Sequence, residues 1–290
     1  MHVLIVTDLE GVGGVLNYPD WCTPAGLRNE AGCRFLTEEV NAAVAGFFAA
    51  GATEVTVDDG HGSGGSIRGE LLDGRAALQR GSRVPPDQDP CDVLAFVGQH
   101  AKAGTPNAHL AHTQTPEAVD FRINGVSLGE FGQIAYINYN DRNIPTIFAA
   151  GDLALTKEAK ELVPGIFTTA VKEGFNRPLD MSCPAGEVMA RQSAAVHYPR
   201  AQVLASIRKE AGLALQKYLS DPGSFAMKPL PGPYRAEAEY RATSPRLVPL
   251  VGDLPPRRIT TGLHDTVDGA FREFYYYEWR KPDPEHHTLL

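Results

Sequence analysis

Val3-Leu4-Ile5-Val6-Thr7-Asp8-Leu9-Glu10-Gly11-Val12-Gly13-Gly14 begins as a short apolar, β-branched run and ends in two carboxylates and a glycine-rich turn. Residues 3–7 have the composition of a buried strand. Asp8 and Glu10 are two positions apart, so on a chain that is still extended both side chains point to the same side. Two carboxylates that close repel each other unless a cation neutralises them. The plain alternative is a loop carrying two solvated acids.

The same motif of an apolar run ending in a chemically active turn recurs downstream. Residues 54–57 form a second strand candidate that leads into Asp58-Asp59-Gly60-His61, and residues 93–97 form a third that leads into Gly98-Gln99-His100. Residues 145–150, ending at Gly151-Asp152, and residues 166–171 supply two more. Between the first two strands Phe35, Leu36, Val40, Val44, Phe47 and Phe48 recur at helical spacing, and Gly51 suits the position after that helix. A short helix is expected over residues 157–163. Strands separated by helices argue for an α/β layered fold with a largely parallel central sheet. In such sheets the working crevice lies beyond the carboxyl ends of the strands. Asp8, His61 and His100 each follow a strand, so that shared position brings them together.

After Pro184 the pattern changes. Residues 187–196 and 202–219 read as helices, the Pro- and Gly-rich stretch 221–256 leaves room for a strand over 234–240, and the aromatic run 271–279 suits a closing helix or strand. The expected division is a metal-binding α/β domain over residues 1–190 and a smaller C-terminal α+β portion over residues 191–290, a candidate assembly or substrate-channel region.

Composition narrows the class. At 290 residues the chain can bury a large core. A formal net charge of −8 without any basic tract argues against a nucleic-acid partner. The first residues do not read as a signal peptide, and the longest apolar stretch, residues 42–50, is too short to span a bilayer, so a cytoplasmic protein without membrane contact is expected. Cys22, Cys33, Cys91 and Cys183 are widely spaced with no CxxC, which suits free thiols in a reducing compartment.

The residues that carry chemistry are few. His61 sits in Gly60-His61-Gly62-Ser63-Gly64-Gly65, where glycine permits tight backbone around a ligand; a surface-loop histidine is the bland alternative. His100 follows an apolar strand and equally suits a satisfied buried histidine. His109 and His112 fall in a segment flanked by Pro106 and Pro116 that reads as a loop. Glu130 opens an expected helix over 131–139, where an acid also serves as a first-turn charge. Together Asp8, Glu10, His61, His100 and Glu130 supply three carboxylates and two imidazoles, a mixture suited to zinc. Five ligands exceed one closed tetrahedral site and suit two metals sharing a bridging carboxylate, with Asp8 as the bridge.

Over residues 1–215 the chain resembles the dipeptide-transport-associated zinc D-aminopeptidases, the DppA type. The resemblance is carried by residues 7–14, by Arg28-Asn29-Glu30 with residues 37–41, and by Gly51-Ala52-Thr53-Glu54-Val55. It continues through Val57-Asp58-Asp59-Gly60-His61, Gly98-Gln99-His100-Ala101, Ala111-His112-Thr113, Asn124-Gly125 to Gly129-Glu130, and Gly151-Asp152. It implies two Zn²⁺ per subunit, with Mn²⁺ or Co²⁺ as substitutes, held by Asp8, Glu10, His61, His100 and Glu130. It also implies a catalytic role for His112 and a ring-shaped homo-oligomer, a decamer. The expected activity is removal of the N-terminal residue from short, D-amino-acid-containing peptides by a metal-activated water. Another dinuclear metallohydrolase, an amidase or phosphoesterase, uses the same ligand types. A peptide-binding protein without turnover is a reading of a different class.

Overall fold

The chain is described by a computed structural model over residues 1–62, 64–80, 91–177, 179, 182–241 and 257–279. The large sheet contains β1 (His2–Thr7), β2 (Glu54–Asp58), β3 (Ala77–Gln79), β4 (Val93–Gln99), β7 (Thr146–Asp152), β8 (Phe167–Gly174) and β9 (Ala195–His197). Its order is β3-β2-β1-β4-β7-β8-β9, parallel throughout except for β9 at the edge. A small antiparallel sheet places β11 (Arg257–Thr260), β10 (Ala236–Tyr240), β5 (Ala118–Ile123) and β6 (Val126–Ser127) side by side.

The helices follow from the crossovers. From β1 the chain passes through α1 (Tyr18–Trp21) and α2 (Asn29–Ala49) to β2 on one side; from β7 it passes through α4 (Leu153–Leu162) to β8 on the other. Right-handed crossovers that run in opposite directions put α2 and α4 on opposite faces of the sheet. Helix α6 (Arg200–Ser220) packs along α2, and α3 (Glu130–Arg142) packs beside α4. The helical spacing in α2 does its work through Leu36, Val40, Val44 and Phe47, all fully buried. Each contributes about 1.5–3 kcal/mol relative to exposure. Phe35 and Phe48 lie at the margin of that face, beneath the guanidinium groups of Arg200 and Arg75 at 4.4 and 4.6 Å.

Several expectations shift. The helix expected over 187–196 is α5 (Ala185–Arg191), and the residues after it form β9. The amide of Asn176 donates to the carbonyls of Gln192 and Ala194, which turns the chain onto the free edge of β8. The run 271–279 lies in helix α7 (Val267–Trp279), whose Phe271 and Phe274 meet Phe121 edge-on at 5.3 and 4.9 Å. The strand expected over 234–240 is β10; the expectations for residues 242–256 lie outside the described residues.

The division expected at residue 190 does not coincide with the sheets. β9 belongs to the large sheet, while β5 and β6 belong to the small one. Among the described residues no helix is long and apolar enough to cross a membrane.

Candidate metal centre

β1 and β4 are neighbours, and the chain leaves them in opposite directions across the sheet. Their carboxyl ends therefore bound the crevice where open α/β sheets bind ligands. Asp8 and Glu10 follow β1, His100 follows β4, and His61 follows β2. Glu130 opens α3, and His112 lies in the loop between β4 and β5. The backbones close tightly here. Gly98 has φ +78°, and a Cβ on it would lie 2.0 Å from the Asp8 carbonyl oxygen, so only glycine lets the two strand ends approach this closely.

All six side chains converge. Asp8 Oδ1 lies 3.0 Å from His61 Nδ1, and Asp8 Oδ2 lies 3.2 Å from His100 Nε2. Glu10 Oε2 is 3.0 Å from His61 Nδ1, and Glu130 Oε1 is 3.5 Å from His100 Nε2. The His112 ring stacks on His100 with centroids 4.1 Å apart, its Nε2 3.8 Å from Glu130 Oε1. Two overlapping groups, Asp8-Glu10-His100 and His100-His112-Glu130, have ligand atoms close enough to share a metal ion. The fifth sequence candidate, His61, touches both carboxylates of the first group.

The imidazoles are oriented from behind. His61 Nε2 donates to the Cys22 carbonyl at 2.8 Å, His100 Nδ1 to the Ala101 carbonyl at 2.9 Å, and His112 Nδ1 to the Leu110 carbonyl at 2.9 Å. A carbonyl only accepts, so in each ring that nitrogen carries a proton and the other turns its lone pair toward the cluster. Metal-binding histidines are commonly fixed in this way. Glu10 Oε2 and His100 Nε2 are buried and make no hydrogen bond, although both face the cluster. Buried polar atoms of that kind normally have a partner, and a cation supplies one. Carboxylate and imidazole donors fit zinc.

The electrostatics agree. Burial would raise the Asp8 carboxyl, but the flanking His100 and His61 rings hold it well below the usual carboxylate range. Burial would lower His61 and His100, but Glu10 and Asp8 raise the first and Glu130 and Asp8 raise the second. The carboxylates that draw positive charge to these two rings would hold a cation in the same place. Burial and the neighbouring His100 charge lower His112, which keeps it neutral.

Several contributors carry no strong sequence signal. Gln99 Nε2 donates to Asp8 Oδ2 at 2.9 Å, and the Gln114 backbone N–H donates to Glu130 Oε1 at 2.7 Å from a left-handed conformation, φ +63°. The carboxylate of Asp59 accepts from the backbone N–H groups of Gly65, Ser66 and Ile67 and so pins the loop that carries His61. Lys172 is fully buried behind Glu10, where burial pushes its ammonium down to about 8. Above the cluster opens a cavity of about 550 Å³, with Tyr18, Thr23, Pro24, Gly62, Ser66 and Gln114 in its walls.

A mostly parallel α/β sheet with a carboxylate–imidazole cage at the point where its winding reverses defines a metal-site α/β protein with a ligand cavity over the cage. The D-aminopeptidase family model, peptidase family M55, matches residues 1–269, and the chain belongs to that family. It is 35% identical over 184 residues to a D-aminopeptidase of Bacillus subtilis, an overlap that covers 61% of this chain and 65% of that relative's length. It also superposes on the solved Zn-dependent D-aminopeptidase DppA from Bacillus subtilis, described as a self-compartmentalizing protease. The TM-score is 0.79 at 22% identity, with 100% of both chains covered.

Proposed function

We propose that this protein is a dinuclear zinc aminopeptidase that removes the N-terminal residue from short peptides, with D-residues preferred there. The observation that carries the reading is the convergence of Asp8, Glu10, His61, His100 and Glu130 with two buried atoms, Glu10 Oε2 and His100 Nε2, facing one another's neighbourhood without hydrogen-bond partners. Asp8 directs one oxygen toward His61 and the other toward His100 and would serve both ions; Glu10 and His61 would hold one of them, His100 and Glu130 the other. Zinc bound there supplies Lewis acidity and a water that ionises near neutral pH.

The remaining chemistry belongs to the chain. His112 is neutral, its proton is fixed on Nδ1 by the Leu110 carbonyl, and its Nε2 lone pair borders the cavity. That tautomer suits a proton shuttle, which takes a proton from the attacking water and delivers it to the leaving amine. The cavity volume falls in the range of small-ligand sites and admits a short peptide. The names of the relatives support zinc and the D-preference, and the self-compartmentalizing description of the solved relative supports a homo-oligomer, for which a ten-membered ring is the proposed form. Light scattering behind a sizing column measures that assembly.

The test is metal content measured beside hydrolysis of paired D- and L-alanyl peptides, with a chromogenic phosphate ester as a third substrate. Zinc near two per chain with D-peptide turnover is expected. Ester turnover without peptide cleavage moves the assignment to a phosphoesterase, and zinc without any turnover moves it to a binding protein. Full activity in His112→Ala removes His112 from the mechanism.

A further inference from the structure

We propose that Lys172 is a positioning residue of the metal centre: its ammonium gathers the carbonyls of the turn after β1 and thereby sets the aim of the Glu10 carboxylate. The inference rests on the reading of Glu10 as a metal holder.

Lys172 lies on β8, two places beyond β4 in the sheet, and its side chain is fully buried. Its Nζ donates to the carbonyl oxygens of Glu10 at 2.6 Å, Val12 at 3.0 Å and Val15 at 3.4 Å. A lysine ammonium has three donors and no acceptor, so these three carbonyls use its full capacity. An ammonium taken out of water is strongly unfavourable unless its surroundings replace the lost solvation. A side chain that merely filled space here would be better as methionine. The charge is matched instead to converging carbonyl dipoles from one short turn.

The same turn is held from other directions. The Gly13 N–H donates to Glu39 Oε1 at 3.0 Å and the Gly14 N–H to His197 Nδ1 at 2.9 Å, while His109 Nε2 donates to the Leu16 carbonyl at 3.2 Å. These partners come from α2, β9 and the loop that carries His112. Of the four, Lys172 is the one that bonds Glu10 itself. The Gly11 N–H at the other end of that peptide plane donates to the Gly98 carbonyl at 2.8 Å, so Lys172 and β4 together fix the plane's rotation about the Glu10 Cα, from which the carboxylate hangs.

The experiment measures zinc affinity by competition with a chromogenic chelator for the full-length wild type, Lys172→Met, Lys172→Gln and the exposed control Lys209→Met. Circular dichroism and denaturant midpoints of the metal-free proteins report folding. Lys172→Met is expected to stay folded and lose about 10- to 100-fold in zinc affinity, the size seen when a ligand's supporting partner is removed. Lys172→Gln, which keeps two donors, recovers part of that loss, and Lys209→Met binds as wild type does. A folded Lys172→Met with wild-type affinity overturns the assignment. Failure of both Lys172 variants to fold also overturns it, because Lys172 would then be a folding residue. A wild type that binds no zinc defeats the metal reading itself and takes this inference with it.

Discussion

Gly98→Ala tests whether the close approach of β1 and β4 builds the site. Alanine at φ +78° adopts a conformation that costs an L-residue about 1–2 kcal/mol. Its Cβ would lie 2.0 Å from the Asp8 carbonyl oxygen and 2.9 Å from both Leu36 Cδ1 and Val12 Cγ2. The oxygen is backbone and cannot rotate away, so the strand ends must part by about 1 Å to reach tolerable contact. Overpacking of this kind costs about 1–3 kcal/mol. The sum, about 2–5 kcal/mol, is a large part of the 5–15 kcal/mol that typically separates folded from unfolded chains. Because Asp8 and His100 flank this contact, the distortion reaches both at once. Urea unfolding of the metal-free protein should therefore show a lower midpoint at unchanged slope, and zinc titration should show weaker binding. A variant that unfolds within about 0.5 kcal/mol of wild type and binds zinc equally well would refute the claim that strand proximity sets the ligand spacing.

Other outcomes follow from individual contacts. Gln99→Leu removes the donor to Asp8 Oδ2 and is expected to cost about tenfold in zinc affinity, read by chelator competition; unchanged affinity would show that Asp8 orients itself. Zinc added to chelator-treated protein at a hundred times its Kd should stabilise it by about 2.7 kcal/mol, or roughly 4–5 °C in thermal melting for a chain of this size. That rise should vanish in Glu10→Ala and His100→Ala. His109, fully buried, has its imidazole pushed by burial from 6.5 down to about 2. Above pH 6.5 the ring is neutral in both folded and unfolded chains; below it the unfolded chain binds the proton first, so stability falls with acidification. At pH 5 the loss is about 2 kcal/mol, and His109→Asn should flatten that part of the stability curve in denaturant titrations at pH 5 and 8.

What could be read from sequence was local. The runs before Asp8, His61 and His100 are short, apolar and closed by turn residues, so strand identity and strand-end position follow from neighbours in the chain, and the crevice follows from topology. Glu130 was legible as a helix opening, and its approach to His100 depends on where α3 docks. What escaped was decided at a distance. β3 and β9 have three residues each and exist because the edges of β2 and β8 offer unpaired groups. Strand β5 lacks clean alternation and is paired by β10, more than a hundred residues away, and the two residues of β6 count as a strand only because they fold back onto β5. Lys172 falls just past the run 166–171 that reads as a strand, and its three acceptors lie about 160 residues earlier. The left-handed backbone at Gln114, which aims an N–H at Glu130, has no glycine to announce it.

The cavity is assembled from two kinds of material. Its floor is fixed to strand ends, where a small displacement separates Asp8 from His100. One of its walls, by contrast, is Tyr18, Cys22, Thr23, Pro24 and Asn29, a surface excursion between β1 and α2. Exchanging that excursion for a longer or bulkier one would change what fits while leaving the cation cage in place. Proteins built on this plan can keep one chemistry and diverge in diet, and a designer seeking new selectivity would rebuild residues 23–28 while keeping the Cys22 carbonyl that orients His61.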